Sequence, residues 1–194
     1  MRKISYAIGM NIAASLKQSG IKEIDAKAVA EALEATMKGQ PTELTAQEAN
    51  ATLSKFFGEL QEQQIKKNME EGAAFLAANG ERKEVTTLKS GLQYEVLTMG
   101  NGAKPKATDR VKCHYHGTLI DGTVFDSSVE RGEPAVFPVN GVIQGWVEAL
   151  QLMPIGSKWR LFIPSDLAYG ARGAGESIAP YSTLIFDVEL LSIE

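Results

Sequence analysis

The hydrophobic period of this chain changes once, and the change divides what the chain can fold into. Up to Asn79-Gly80 apolar residues recur at helical spacing, whereas from Leu88 onward they alternate with a period of two. A chain written this way makes helices first and strands afterwards, an α+β protein. Ile4, Ile8, Ile12 and Leu16 form one helical stripe, with Ala7, Ala13 and Ala14 beside it and Gly20 at the place of a C-terminal cap. A second helix is expected from near Asp25, carrying Val29, Leu33 and Met37 and stopping at Gly39 before Pro41. Thr45-Ala46-Gln47-Glu48 is a capping-box pattern with no proline again until well past Gly80. A third helix over 46–79 would therefore be about 50 Å long. Leu53, Phe56, Phe57 and Leu60 give its first half an apolar stripe, while residues 61–71 are polar nearly all round, as in a helix that bridges domains. Gly58 and Gly72 are expected to weaken it locally. Helices this few bury little surface alone, so a second copy is expected to cover the stripe; the alternative, that they fold back on the second half of the same chain, is disfavoured by the polar stretch 61–71.

Composition excludes several classes of function. Hydrophobic residues are 44% and charged residues 23% of the chain, ordinary for a globular protein. A formal net charge of −4 with no basic patch argues against nucleic acid as a partner. No run of about 18 apolar residues is present to span a membrane. The single cysteine cannot form an internal disulfide, and Met-Arg-Lys is not followed by an uninterrupted apolar stretch with a cleavage site. These two observations together predict a cytoplasmic protein.

In the second half, Trp159, Leu161 and Ile163 share one strand face, as do Phe186, Val188 and Leu190, and Gly145 to Met153 reads as one short helix ended by Pro154. The expected architecture is an antiparallel half-barrel sheet wrapped around that helix. Val111 to Ser128 combines an alternating strand, an Asp121-Gly122 hairpin turn and Phe125 next to the Asp126 carboxylate, which is material for a pocket wall and contains no evident nucleophile. Gly141-Val142-Ile143-Gln144-Gly145-Trp146, Leu167-Ala168-Tyr169-Gly170 and Thr183 to Leu191 follow. In this order the four blocks resemble the FKBP family of peptidyl-prolyl cis/trans isomerases across residues 88–194. Residues 1–80, chiefly through Ser5-Tyr6-Ala7-Ile8-Gly9, are similar to the dimerisation arm of bacterial relatives of the macrophage infectivity potentiator.

The resemblance implies a helical dimerisation domain over 1–45, a linking helix over 46–80 and an FKBP-like isomerase domain over 85–194. It implies rotation about X-Pro bonds in peptides and folding proteins, with chaperone activity as a homodimer and with macrolides such as rapamycin and tacrolimus as inhibitors. No cofactor and no metal is implied. Carried over position by position, the catalytic residues are Tyr115, Phe125, Asp126, Ile143, Trp146, Tyr169 and Phe186, with Phe137 and Val142 binding substrate. Trp146 would be the floor, the aromatics the walls, and Asp126 a polar wall held by the Tyr115 hydroxyl. The Ile143 N–H and the Tyr169 hydroxyl would bind carbonyls flanking the proline. The alternative is a chaperone or binding module for proline-containing segments with little turnover.

Taken singly, these residues have plainer readings. Strand aromatics usually belong to a core, Asp126 is suited to capping the Ser127-Ser128 turn, and Trp146 would be buried over a sheet with or without a substrate. His114 and His116 lie two apart on one strand, read as exposed rather than as the start of a metal site. Cys113 shares parity with Val111 and reads as a core thiol. Four positions depart from the family: Ala135 and Ala174, where relatives carry larger side chains, Ala179, where proline is common, and Leu167, where tyrosine is frequent.

Overall fold

Local signals set the helix ends. Helix α1 (Arg2–Gln18) ends in hydrogen bonds from Gly20 N–H to Lys17 O and Ile21 N–H to Leu16 O. Helix α2 (Ala26–Lys38) starts under the Asp25 carboxylate, which accepts from the N–H groups of Lys27 and Ala28, and stops at Gly39, whose φ is +65°. Helix α3 (Ala46–Gly80) is 35 residues long and opens with the reciprocal capping box: Thr45 N–H donates to Glu48 Oε2 at 2.8 Å and Glu48 N–H to Thr45 Oγ1 at 3.2 Å. The computed structural model describes residues 1–194, which divide into two units, Met1–Gln63 and Gln64–Glu194. In the first unit no residue of α1 or α2 is buried.

The second unit is built on one antiparallel sheet. Its strands are β1 (Val85–Thr87), β2 (Gln93–Thr98), β3 (Arg110–Leu119), β4 (Val124–Ser127), β5 (Ala135–Pro138), β6 (Lys158–Ile163) and β7 (Leu184–Ile193). They are ordered β1-β2-β6-β7-β3-β4, and β5 also pairs with β3. The period-two alternation decides which side is core. Val111 and Cys113 of β3, Trp159, Leu161 and Ile163 of β6, and Leu184, Phe186, Val188 and Leu190 of β7 are all buried. Helix α4 (Gln144–Leu152) fills that face with Trp146, Ala149 and Leu150. A core formed this way is the FKBP-like arrangement of a sheet wrapped around one short helix.

The second half of α3 departs from a solvated bridge. Phe75 lies with its ring centroid 5.9 Å from that of Phe162, which points away from α4 and is only 3% exposed. The Asn68 amide donates to Pro180 O at 2.8 Å, and the buried Asn79 amide donates to Gln93 Oε1 at 2.8 Å. Asn68, Gly72, Phe75 and Asn79 follow one another at helical spacing along the side that meets the sheet. A Cβ on Gly72 would sit 2.4 Å from Thr183 Oγ1, so this glycine permits close packing rather than marking a bend. Polar and small contact residues made the face invisible to a hydrophobic count.

Candidate active site

All nine residues singled out in the sequence line one cavity of about 630 Å³. Trp146 lies at its base, where the first turn of α4 brings it over β3 and β7, and it is 4% exposed. Its ring is perpendicular or nearly so to those around it: the centroids of Tyr115, Phe137 and Phe186 are 5.5, 5.4 and 5.2 Å away. Phe125 meets Phe186 edge-on at 5.3 Å. That wall depends on Gly117, opposite Asp126 in the β3–β4 ladder, because a Cβ there would lie 2.7 Å from both rings.

One side of the cavity is polar, and it contains a residue that the sequence did not single out. The Tyr115 hydroxyl donates to Asp126 Oδ2 at 2.6 Å. Arg131 ties both together, donating from Nη1 to Asp126 Oδ1 and from Nη2 to the Tyr115 hydroxyl at 2.7 Å. Burial pushes the Asp126 carboxyl up, but the Tyr115 hydroxyl and the Arg131 guanidinium outweigh it and hold the group below the ordinary carboxylate range. Burial, then the Asp126 carboxylate, pushes the Tyr115 phenol up, against the opposing guanidinium. The Asp126 carboxylate thus faces Tyr115 and Arg131, and the side-chain hydrogen bonds around the following turn are made by its two serines. Ser127 Oγ accepts from Glu130 N–H there, and the buried Ser128 hydroxyl accepts from Tyr115 N–H at 2.8 Å. The only sequence signal for Arg131 was a cation five residues past the acid, across that turn.

Two further groups can meet a ligand. The Ile143 N–H, just before α4, makes no backbone hydrogen bond of its own, and Tyr169 is 40% exposed with no hydrogen-bond partner in the chain for its hydroxyl. Ala174, Gly175, Ser177 and Ile178 complete the rim. The loop carrying them is tied by paired bonds between Ala174 and Ile178. Ala135 pairs with Cys113 on β5 and does not line the cavity.

His114 and His116 are half-buried rather than exposed, because the turn after β4 folds its serines against β3. Their Nδ1 atoms lie 3.1 and 3.0 Å from the hydroxyls of Ser128 and Ser127. Cys113 is wholly buried, and burial pushes its thiol up to about 12. No three His, Cys, Asp or Glu side chains gather where they could hold a metal ion. What the cavity can do is hold an apolar ring on Trp146 and position the carbonyls beside it.

A half-barrel closed on one helix, with an aromatic cup on its inner face, is the architecture of a rotamase. The chain belongs to the FKBP-type peptidyl-prolyl cis-trans isomerases: the model for that family matches residues 101–191, and the model for the domain amino-terminal to it matches residues 1–96. The chain is 49% identical over 193 residues to an FKBP-type 22 kDa peptidyl-prolyl cis-trans isomerase of Escherichia coli, covering 97% of this chain and 93% of that protein. The crystal structure of FkpA from Escherichia coli matches with a TM-score of 0.82 at 35% identity, covering 100% of this chain and 94% of that one.

A further relative overturns the cytoplasmic placement. A protein of Legionella longbeachae named outer membrane protein MIP is 44% identical over 199 residues, covering 99% of this chain and 85% of its own length. A lone unpaired thiol is compatible with either side of a membrane, which is why it was a poor guide. No helix of the chain is long and apolar enough to cross a membrane.

Proposed function

We propose that X-Pro rotation takes place in the cavity between Trp146 and the Tyr115–Asp126–Arg131 group. The observation that carries this assignment is the convergence of nine residues from five separate elements and two loops on one aromatic cup. Resonance holds the peptide bond planar behind a barrier of about 20 kcal/mol. At the top of that barrier the amide is twisted and less charge-separated, and a dry aromatic cup favours it over the planar form, which is differential binding with no bond broken. Trp146 carries the proline ring, while Tyr115, Phe125, Phe137 and Phe186 enclose it and Val142 closes the side. The Ile143 N–H and the Tyr169 hydroxyl donate to the flanking carbonyls and fix the bond that turns. Macrolides such as rapamycin and tacrolimus would occupy the same cup. A protease-coupled assay on Phe-Pro and Leu-Pro tetrapeptides, with and without rapamycin, tests the assignment. Rapamycin-insensitive turnover, unaffected by substitutions in the cup, would overturn it.

Residues 1–45 serve as the pairing domain of a homodimer, 46–80 as the link and 85–194 as the isomerase domain. The support is the exposure of the first unit: Ile4, Ile8, Leu33, Leu53, Phe56 and Phe57 are between 41% and 61% exposed. Apolar surface on this scale favours a partner. A dimer bearing two cups has chaperone activity toward unfolded, proline-containing chains.

A further inference from the structure

The rim of the cavity is one loop, and the loop is held from outside the cavity. It leaves Tyr169, carries Ala174, Gly175, Ser177 and Ile178 along the rim, and re-enters the sheet at Leu184. Its neck is closed by Tyr181 N–H donating to Gly170 O at 2.8 Å. Tyr181 has φ +59°, a left-handed conformation that a side chain with a Cβ disfavours, and it is the only non-glycine residue of the chain so placed. Such a conformation persists only where its surroundings hold it.

The holding group is on α3. Pro180 O, adjacent to the strained residue, accepts the Asn68 amide at 2.8 Å. The amide is itself oriented, because Gln64 Nε2 donates to Asn68 Oδ1 at 2.8 Å. One turn further on, Gly72 lets α3 close against Thr183, the last loop residue before β7. Neither Asn68 nor Gly72 lines the cavity.

We propose that Asn68 is a positioning residue for the isomerase reaction: by fixing the Pro180 carbonyl it sets the loop over 170–183 in the form that fits the residues flanking the substrate proline. This rests on the assignment of the aromatic cup as the substrate site. The rim contacts substrate and Trp146 contacts the proline ring, so the effect of losing Asn68 falls on KM and leaves kcat in place.

The test uses the full-length protein with Asn68→Ala and Asn68→Asp. The second keeps size and shape but has no N–H to donate. Each is expected to raise KM for Xaa-Pro peptides by about two- to tenfold, the factor matching one hydrogen bond of ordinary net strength, at unchanged kcat. Amide exchange should quicken at Ala174, Ile178 and Tyr181 and nowhere in β3 or β6. Asn68→Gln, which retains a donor, should recover part of the loss. Unchanged KM in both variants overturns the proposal, and so does faster loop exchange with unchanged KM, since the loop would then be held without shaping the site. Failure of the cup assignment is read separately, from Tyr169→Phe and Asp126→Leu matching the unmodified protein in the same assay.

Discussion

Arg131 determines how Asp126 behaves, because a partly buried carboxylate without its guanidinium would drift upward in pKa. An aspartate held below its ordinary value contributes stability that is complete above the unfolded-state value near 3.8 and is lost as pH falls through the folded-state value. The expected profile of kcat/KM is flat from about pH 6 to 9, with no bell of the kind that acid-base catalysis produces. Arg131→Ala should move the acid fall toward higher pH, since burial then acts on Asp126 with only the Tyr115 hydroxyl and the Ser127 backbone N–H opposing it. A profile with the same acid limb in both proteins would remove Arg131 from the account. Tyr169→Phe should cost a few-fold in kcat/KM, in line with about 0.5 to 1.5 kcal/mol for one neutral hydrogen bond, and Asp126→Leu should cost more. Gly117→Ala should be worse than either, because its methyl group displaces both Phe125 and Phe186. If its kinetics match those of the unmodified protein, the edge-to-face pair does not shape the site.

At the scale of elements, the strands and α4 were legible because their apolar residues follow a strict period and one face is buried, so a slip of one residue would have turned every side chain out of the core. The cup was legible for a different reason: Tyr115, Phe125, Asp126 and Trp146 sit in motifs whose order carries meaning together. Arg131 was not, being a lone cation in a turn, and neither was the contact face of α3, where Asn68, Gly72 and Asn79 show no hydrophobicity and Phe75 alone shows any. That face gives a prediction about truncation. A fragment starting at Val85 keeps every cup residue but exposes Phe162 and removes the partner of Gln93, while one starting at Gln64 keeps both. Uncovering a buried aromatic of this size costs on the order of 2 kcal/mol. The shorter fragment should melt several degrees below the longer one in a calorimeter, and coincident melting would mean that α3 contributes nothing to the sheet's stability.

For the whole molecule, the question is what residues 1–63 add to an isomerase whose cup lies wholly in residues 64–194. The fragment 64–194 contains each group that lines the proposed X-Pro site, so on short peptides it should match the full chain in kcat/KM per site. Unfolded proteins differ because one client offers several prolines and several apolar segments. A dimer can hold such a client at two points, and the second contact forms at the effective concentration set by the first. The full chain should therefore speed a proline-limited refolding reaction far more than the fragment does at equal numbers of cups. Light scattering should give a dimer for the full chain and a monomer for the fragment. Substituting Phe56 and Phe57, both more than 40% exposed in the single chain, with aspartate should convert the full chain to a monomer with the fragment's refolding activity and unaltered peptide turnover. Equal refolding per site in dimer and fragment would show that the arm has another purpose, and would leave the isomerase itself untouched.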